Sequence, residues 1–294
     1  MQSHKFFACP WAKVAADLLE FDNRVLLVVC DYHSNFIEVV GLSSITSRAI
    51  IKELKAIFAR LAFPDTLVTH NGLQFLPGEF SVFSRTWMFE HKTSSPAYPQ
   101  SNGKAETAVK IVQNFFAKCK AAGASEFQAL LDWHNTPTAG IGTSPTQCLM
   151  GRSSKTLLPV AGSLLQPNFP TEEDTRKLIG TKQRQQHYYN KQAKPLEPIS
   201  VGVTVRMRLP GEKTWSSGAR TDTAGPRSYW VQVGQAVYRR NRRQLIKTGE
   251  SNNVPELIVP DRLAEASPEA ETTVPPGISP RLKCTLDQGG RNDK

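Results

Sequence analysis

The sequence has few cysteines, and their arrangement excludes the two common cysteine-based architectures. They are odd in number, scattered along the chain and never spaced as Cys-x-x-Cys: Cys9, Cys30, Cys119, Cys148 and Cys284. None of the six histidines falls in a paired His/Cys spacing either. We therefore predict neither a disulfide framework nor a zinc finger, and interpret the cysteines as reduced thiols.

Long apolar runs are also missing. No stretch approaches the ~18 apolar residues that a membrane-spanning helix needs, and the first residues lack the apolar centre of a secretory signal. We expect a protein that does not enter a membrane and that works inside the cell, in the nucleus or the cytoplasm.

What the sequence does contain is enough apolar surface for a folded body and an excess of positive charge. Of 294 residues, 39% are hydrophobic, 9% aromatic and 21% charged, which predicts one large or two modest domains. Lysine and arginine outnumber aspartate and glutamate by 36 to 26. This balance favours a polyanionic partner such as nucleic acid, with a merely basic surface as the alternative.

The charge is concentrated in one block near the carboxyl end. Residues 201–248 carry ten basic and two acidic side chains, and short β-prone runs broken by Gly and Pro predict a small β-barrel there. Residues 249–294 contain six prolines and no aromatic residue, so we expect a disordered tail. Before the block, residues 171–194 run from acidic to basic, the order that suits the dipole of a linker helix.

The first ~150 residues show strands followed by helical periodicity, which predicts an α/β layered sheet. An antiparallel three-stranded meander is expected first, turning at Asp22 and Asn23. A helix should follow behind a Thr46/Ser47 cap, then two short strands ending near Thr69 and Thr93. A long helix with an apolar stripe is predicted after Gly103.

Three polar residues lie at positions where such elements meet. Asp17 is in the first strand, His70 follows the fourth after 52 intervening residues, and Glu106 opens the long helix after 35 more. Taken singly, Asp17 is explained as an edge aspartate and Glu106 as a first-turn acid that suits the helix N-terminus. Together, their placement predicts one shared site.

Three stretches carry a resemblance to gypsy-type retrotransposon integrases. They are Trp11-Ala-Lys-Val-Ala-Ala-Asp-Leu-Leu-Glu20, Val68-Thr-His-Asn-Gly-Leu-Gln-Phe75 and Ser94-Ser-Pro-Ala-Tyr-Pro-Gln-Ser-Asn-Gly-Lys-Ala-Glu106. The family's second block normally reads Asp-Asn-Gly-x-Gln-Phe/Tyr, so His70 stands where a catalytic aspartate is expected. The resemblance covers roughly residues 8 to 248.

The resemblance implies an RNase H-like catalytic core, with a mixed five-stranded sheet and helices, followed by a small SH3-like β-barrel. The implied layout is a truncated amino-terminal remnant over 1–10, the integrase core over 11–155, a helical linker over 156–200, the basic barrel over 201–248 and the tail over 249–294. The zinc-binding module that precedes such cores is not found in this sequence. The implied partners are the DNA of element ends and target and further copies of the chain, since family integrases act as multimers.

The implied chemistry is metal-dependent processing and joining of DNA ends. The resemblance assigns catalytic positions to Asp17, His70 and Glu106, and makes Asp17 and Glu106 ligands of Mg²⁺ or Mn²⁺. Mg²⁺ demands oxygen ligands, whereas the neutral imidazole of His70 offers nitrogen without charge and suits manganese or zinc better. We therefore expect a weakened or inactive metal site.

The resemblance and His70 together leave two hypotheses for the function. The first is an integrase-derived polynucleotidyl transferase impaired by His70. The alternative is a non-catalytic DNA-binding or interaction protein that keeps the fold. A product without a selected role is a third possibility, because one base change in a decaying copy explains His70.

Candidate nucleic-acid contacts lie beside the site and in the basic block. Lys110 follows Glu106 by one helical turn, Gln74 lies four residues after His70, and Asn102 belongs to a polar loop that can approach a phosphate. Four arginines follow Tyr238 and can neutralise several phosphates: Arg239, Arg240, Arg242 and Arg243. Each feature also has an ordinary explanation. Lys110 can be a solvated lysine, the loop of Asn102 a plain turn, and the arginine cluster a localisation signal or a strand edge protected from aggregation.

Overall fold

A computed structural model describes residues 9–95, 102–139, 142–169, 171–191, 196–225 and 227–248 of the chain. The tail predicted over 249–294 and most of the 94–103 loop lie outside these residues.

Two five-stranded sheets organise the described residues. The first contains β1 (Lys13–Phe21), β2 (Arg24–Asp31), β3 (Ile37–Leu42), β4 (Thr66–Thr69) and β5 (Glu90–Thr93). The second contains β6 (Thr204–Arg208), β7 (Trp215–Gly225), β8 (Ser228–Val233), β9 (Ala236–Asn241) and β10 (Ile246–Lys247). The helices are α1 (Ser47–Leu61), α2 (Glu79–Thr86), α3 (Gly103–Ala122), α4 (Glu126–Asn135), α5 (Pro145–Met150) and α6 (Glu172–Asn190).

The first sheet confirms the mixed five-stranded arrangement. Its strand order is β3-β2-β1-β4-β5, with β1, β2 and β3 antiparallel and β4 and β5 parallel to β1. Asp22 and Asn23 both have positive φ, 53° and 57°, as the tight turn of a β1–β2 hairpin requires. β1 therefore lies at the centre of the sheet.

Helices cover both faces of this sheet because its strands alternate apolar side chains between the two sides. Val14 and Ala16 of β1 belong to the core cluster that contains α1 and α2 side chains, and Leu19 to the cluster that contains α3 side chains. α1 begins as predicted, since the Thr46 hydroxyl accepts a hydrogen bond from the Ala49 backbone N–H. The core is thus a three-layer α/β/α sandwich.

The second sheet is antiparallel, with strand order β10-β6-β7-β8-β9. It has a small core of its own around Val205, Met207 and Val231. The SH3-like form of this unit stays a prediction. Between the two sheets, α6 confirms the predicted helix and is capped by Thr171 in a capping box.

Contacts join the second sheet to the end of β5. The Arg239 guanidinium donates to Thr93 Oγ1 at 2.9 Å and to the Thr93 carbonyl oxygen at 3.1 Å. Ser95 and Ser228, both buried, are hydrogen-bonded through their hydroxyls. Within the part of the chain that the structure describes, no helix has the length and apolar character needed to cross a membrane.

Candidate active site

The register of β1 and β4 brings Asp17 and His70 together. In this parallel pair Ala16 lies opposite Thr69, so the next residues along the two strands, Asp17 and His70, are neighbours. Asp17 shares its strand face with Ala15 and Leu19, whose side chains pack with those of α3. Asp17 therefore faces the helix that carries Glu106.

The Asp17 carboxylate has three polar neighbours. Its Oδ1 accepts from the Leu18 backbone N–H at 2.9 Å and lies 3.5 Å from His70 Nε2. Its Oδ2 accepts from Asn102 Nδ2 at 3.4 Å. Burial raises the pKa of Asp17 above its ordinary value, while the Leu18 hydrogen bond, His70 and Asn102 oppose that rise. The fold thus keeps an incompletely compensated carboxylate.

His70 is held in place by its local surroundings. Its ring meets the edge of Phe75 at 4.9 Å between centroids, and Gln74 Nε2 lies 3.3 Å from His70 Nε2. A Cβ added at Gly72 would lie 2.2 Å from His70 Cε1, so Gly72 leaves room for the ring. The imidazole is therefore positioned beside Asp17 rather than turned away from it.

Glu106 stands in the first turn of α3, as predicted. Burial raises the pKa of its carboxyl, the Asp17 charge raises it further, and Lys110 opposes both. Because the Asp17 charge raises the pKa of Glu106, a cation near these two carboxylates would favour the ionised form of Glu106. Lys110 is exposed on the same helix.

Asn102 is buried deep in this site instead of lying open at its surface. The residue is 2% exposed, and its Nδ2 donates to the Ala16 carbonyl oxygen and to Asp17 Oδ2, both at 3.4 Å. Its Oδ1 is buried and has no hydrogen-bond partner among the described residues. A buried acceptor left unpaired costs about 1–3 kcal/mol.

The donors present fit a divalent cation in part. The Asp17 carboxylate, the Asn102 amide and the His70 imidazole lie together, with the Glu106 carboxylate near enough to feel the Asp17 charge. Within the described ranges, however, no three His, Cys, Asp or Glu side chains form a group that could hold a metal ion. The site therefore contains two acidic side chains, Asp17 and Glu106, with His70 beside Asp17.

The predicted arginine cluster is mostly engaged within the protein. Arg239 and Arg240 lie in β9; Arg239 binds Thr93, and Arg240 is 7% exposed with its guanidinium 5.3 Å from the Tyr238 ring centroid. Arg242 donates to the carbonyl oxygens of Glu197 and Leu245 at 2.6 and 2.9 Å. The Arg243 side chain is exposed. The four side chains therefore do not present one open basic surface.

A buried hydrogen-bonded pair behind His70 was not predicted from the sequence. Thr69 Oγ1 donates to the His70 carbonyl oxygen at 3.1 Å and lies 2.9 Å from His91 Nε2. In the tautomer of His91 that carries its proton on Nε2, this nitrogen donates to the Thr69 hydroxyl. Burial lowers the pKa of His91 to about 4, so the ring is neutral at pH 7.

Comparison with known proteins gives one curated relative and a set of structural neighbours. The chain is 29% identical over 248 residues to the uncharacterized protein K02A2.6 of Caenorhabditis elegans, which covers 80% of this chain. The chain spans about a fifth, 19%, of the length of that relative. No protein-family model matches the sequence.

Among solved structures, the simian T-cell lymphotropic virus intasome in complex with the PP2A regulatory subunit B56 gamma is similar. The alignment covers 83% of this chain and 80% of that chain, with 17% identity and a TM-score of 0.55. The HTLV-2 integrase catalytic core domain in complex with magnesium covers 48% of this chain and 97% of that chain, with 20% identity and a TM-score of 0.41. The first alignment establishes a shared fold.

Proposed function

We propose that the chain is an integrase-like protein of retrotransposon type and that it is a nucleic-acid-binding polynucleotidyl transferase with an impaired catalytic centre. The observation that supports the proposal is the approach of His70 Nε2 to within 3.5 Å of Asp17 Oδ1, with Glu106 near enough for the Asp17 charge to raise its pKa. Its proposed layout is a core over 11–155, a helical linker, a basic SH3-like barrel over 201–248 and a tail.

Asp17 and Glu106 are the proposed ligands of Mg²⁺ or Mn²⁺. When bound, such ions stabilise the attacking and leaving oxygens of an in-line displacement at phosphorus. Asp17 contributes a carboxylate fixed by the Leu18 N–H, and Glu106 contributes one from the first turn of α3. A bound cation would offset the burial that raises the pKa of both carboxyls and the Asp17 charge that raises the pKa of Glu106 further.

His70 weakens this arrangement in two ways. It supplies one nitrogen where a carboxylate would supply a negative charge, so the site attracts divalent cations less strongly. Its Nε2 also lies 3.5 Å from Asp17 Oδ1, where a protonated ring would compete with a cation for that oxygen. We expect little activity with Mg²⁺ and more with Mn²⁺.

Lys110 and Gln74 lie near the centre and are the proposed contacts to a DNA substrate there. Lys110 is exposed one turn along α3 from Glu106, and its charge acts on that carboxyl. Gln74 is half-buried next to His70. The proposed partners are DNA inside the cell, in the nucleus or the cytoplasm, and further copies of the chain.

The deciding experiment is an end-joining and nicking assay on labelled duplex DNA with Mg²⁺ and then Mn²⁺. The native chain is compared with His70→Asp, and the double variant Asp17→Asn/His70→Asp is the matched control. We expect His70→Asp to be active, the native chain to be at least about tenfold weaker, and the double variant to be silent. A native chain as active as His70→Asp with Mg²⁺ would show that His70 impairs nothing.

The second candidate function is DNA binding without catalysis. The Asp17–His70 contact favours it, because an imidazolium can balance Asp17 without a metal ion. Silence of both the native chain and His70→Asp, together with salt-dependent DNA binding, would favour this candidate.

A further inference from the structure

We propose that the outward face of the second sheet binds single-stranded nucleic acid by stacking unpaired bases on Trp215 and Trp230. The inference rests on the nucleic-acid-binding part of the proposed function and not on its catalytic centre. It starts from two large aromatic side chains outside the core of this sheet, Trp215 at 40% and Trp230 at 38% exposure. Tryptophan is highly buried on average, so two such rings on one small sheet make this face a candidate binding surface.

The strand pairing places both rings on the same face. Trp215, Ser217 and Ala219 alternate along β7, so their side chains lie on one side of the sheet. Ala219 pairs with Gln232 of β8, and Trp230 lies two residues before Gln232, which brings the second ring to that side as well. The residue between Trp230 and Gln232 belongs to the core cluster of the sheet, so the core lies on the opposite side.

Small and polar side chains separate the two rings. At a rise of about 3.3 Å per residue, the stretch from Trp215 to Ala219 and that from Gln232 to Trp230 set the rings about 20 Å apart. This span accommodates a few nucleotides of an extended strand, at the lower end of the ~4–16 nucleotides that small single-strand-binding barrels cover. Ser217 and Gln232 interrupt the apolar surface between the rings, which disfavours a protein partner that needs one contiguous apolar patch.

The charge of this face complements a phosphate backbone. Arg206 and Arg208 of β6 are exposed, and their pairing with Ser217 and Trp215 places them on the same side as the rings. The Arg208 guanidinium lies 5.0 Å from the Trp215 ring centroid, which supports the ring as a platform. The surrounding residues 201–248 carry ten basic and two acidic side chains. Aromatic rings beside arginines are typical of surfaces that stack bases and follow a single-stranded backbone.

Stacking selects single strands over a duplex. In a duplex each base face is covered by the neighbouring base pair, whereas an unpaired base offers its face to an aromatic ring. Asp222 pairs with Trp230, and its negative charge disfavours a phosphate at that place. Trp230 therefore suits a base and not the backbone.

The test compares strands that differ in one chemical group. Fluorescence anisotropy measures binding of the full chain to labelled strands of about twelve nucleotides: deoxyuridine DNA, uridine RNA, and abasic DNA with the same number of phosphates. We expect the strands with bases to bind at least about tenfold more tightly than the abasic strand. Equal affinities for the deoxyuridine and abasic strands would overturn the proposal. The ratio of DNA to RNA affinities identifies the preferred sugar, and a preference for either supports stacking.

Replacing each ring separates stacking from general electrostatic attraction. We expect Trp215→Ala and Trp230→Ala each to weaken binding of the deoxyuridine strand by about fivefold or more, with the salt dependence unchanged, because the rings contact bases and not phosphates. Trp230→Phe should recover most of the affinity. Val237→Ala, at an exposed position paired with Gln232 on the same face, is the matched control and should bind as the native chain does. An equal loss in Val237→Ala would contradict a specific role of the rings.

Photocrosslinking of the native chain supplies a readout that needs no variant. A strand carrying 5-bromouracil is irradiated in the complex, and mass spectrometry identifies the crosslinked peptides. We expect peptides containing Trp215 or Trp230, and their loss when an unlabelled deoxyuridine strand competes. Crosslinks confined to the first sheet and its helices would overturn the assignment of this face.

The inference and the proposed function fail in different ways. If the chain binds duplex DNA but bases add nothing to its affinity for single strands, the stacking face is wrong and the proposed DNA binding stands. If no nucleic acid binds, both fail.

Discussion

At the scale of single residues, the site centres on the Asp17 carboxylate, whose buried surroundings disfavour its ionised form. The Asp17 side chain is 18% exposed and the Leu18 N–H is its nearest donor. Its raised pKa means that the folded chain binds a proton at Asp17 more readily than the unfolded chain does. The ionised carboxylate therefore lowers stability at neutral pH, and this loss disappears as the pH falls below the ordinary pKa near 4.

Asp17→Asn should consequently stabilise the metal-free protein. We expect the Tm at pH 7 to rise by about 2–4 °C, equivalent to about 1 kcal/mol, and the difference to vanish near pH 3. The new amide can still accept from Leu18 N–H, and its NH₂ group can donate to the unpaired Asn102 oxygen after the Asn102 amide turns. Thermal unfolding at the two pH values measures this, with Asp132→Asn on the exposed side of α4 as the control.

Added Mn²⁺ should reverse the order. The native chain should gain Tm with Mn²⁺ and Asp17→Asn should not, because a ligand that binds only the folded chain stabilises it by RT ln(1 + [L]/Kd). A native chain that is already more stable than Asp17→Asn without metal would contradict the assignment of Asp17 as a destabilised carboxylate.

At the scale of elements, a half-buried chain of hydrogen bonds links strands β5 and β4 to the site residue His70. With its proton on Nε2, His91 of β5 donates to Thr69 of β4, which donates to the His70 carbonyl oxygen. The centroid of the His91 ring lies 5.0 Å from that of Phe80. The chain of bonds needs a neutral His91, because a charged ring in these surroundings would have to be desolvated.

The pH dependence of stability follows from this pair. Burial lowers the pKa of His91 from 6.5 to about 4, so the unfolded chain binds a proton at this residue more readily than the folded chain does. The free energy of unfolding is therefore unaffected by His91 above pH 6.5 and decreases as the pH falls from 6.5 towards 4. The contribution amounts to ~3 kcal/mol at most. His91→Gln keeps a donor for Thr69 and removes the titration, so its stability should fall less between pH 7 and pH 4.5.

Urea unfolding at these two pH values is the measurement, and His187→Gln on exposed α6 is the control. His134 contributes in the same direction, since burial lowers its pKa too. The comparison between native chain and His91→Gln isolates the β4–β5 pair. Parallel losses of stability in both proteins would rule out this role for His91.

Local signals explain which elements were predictable. The Asp22–Asn23 turn and the Thr46 cap depend on neighbouring residues, so sequence pattern suffices for the hairpin and for α1. β7 was not predicted, because Trp215–Gly225 is rich in Gly, Ser and Thr and is fixed by pairing with β6 on one side and β8 on the other. The capping box of Ser144 and Gln147 that begins α5 is a local signal of the same kind.

The site likewise contains contacts that follow from local strand pairing and contacts that depend on long-range packing. The approach of Asp17 and His70 follows from the parallel pairing of their strands, which places successive residues side by side. The burial of Asn102 and the donor at His91 depend on contacts across 85 and 22 residues, respectively. Such contacts leave no periodic trace in the sequence and emerge from packing.

At the scale of the whole molecule, the basic second sheet is tied to the core through the end of β5. Arg239 spans the contact with two hydrogen bonds to Thr93, and burial lowers the pKa of its guanidinium. Thr93 immediately precedes the segment that leads to Asn102 and Glu106. The contact therefore links the position of the second sheet to the strand end beside the proposed active site.

Arg239 and Arg243 should accordingly behave differently when each is replaced by alanine. Arg239→Ala removes two hydrogen bonds of a charged donor and should cost about 2–3 kcal/mol of stability, with faster hydrogen exchange at Thr93. Its effect on DNA affinity should be small, because its guanidinium is already bound to Thr93. Arg243→Ala, at an exposed side chain, should leave stability within about 0.5 kcal/mol and lower the salt dependence of DNA binding by about one unit of slope.

The measurements are urea unfolding, hydrogen exchange and DNA titration at several salt concentrations. A reduced salt slope in Arg239→Ala with unchanged stability would mean that Arg239 leaves Thr93 to bind phosphate, and the contact between the sheets would then be a competitor of DNA. An unchanged slope with lost stability would make Arg239 a structural link. In that case Arg239 is not a phosphate contact, and the sheet's position beside β5 does not depend on DNA.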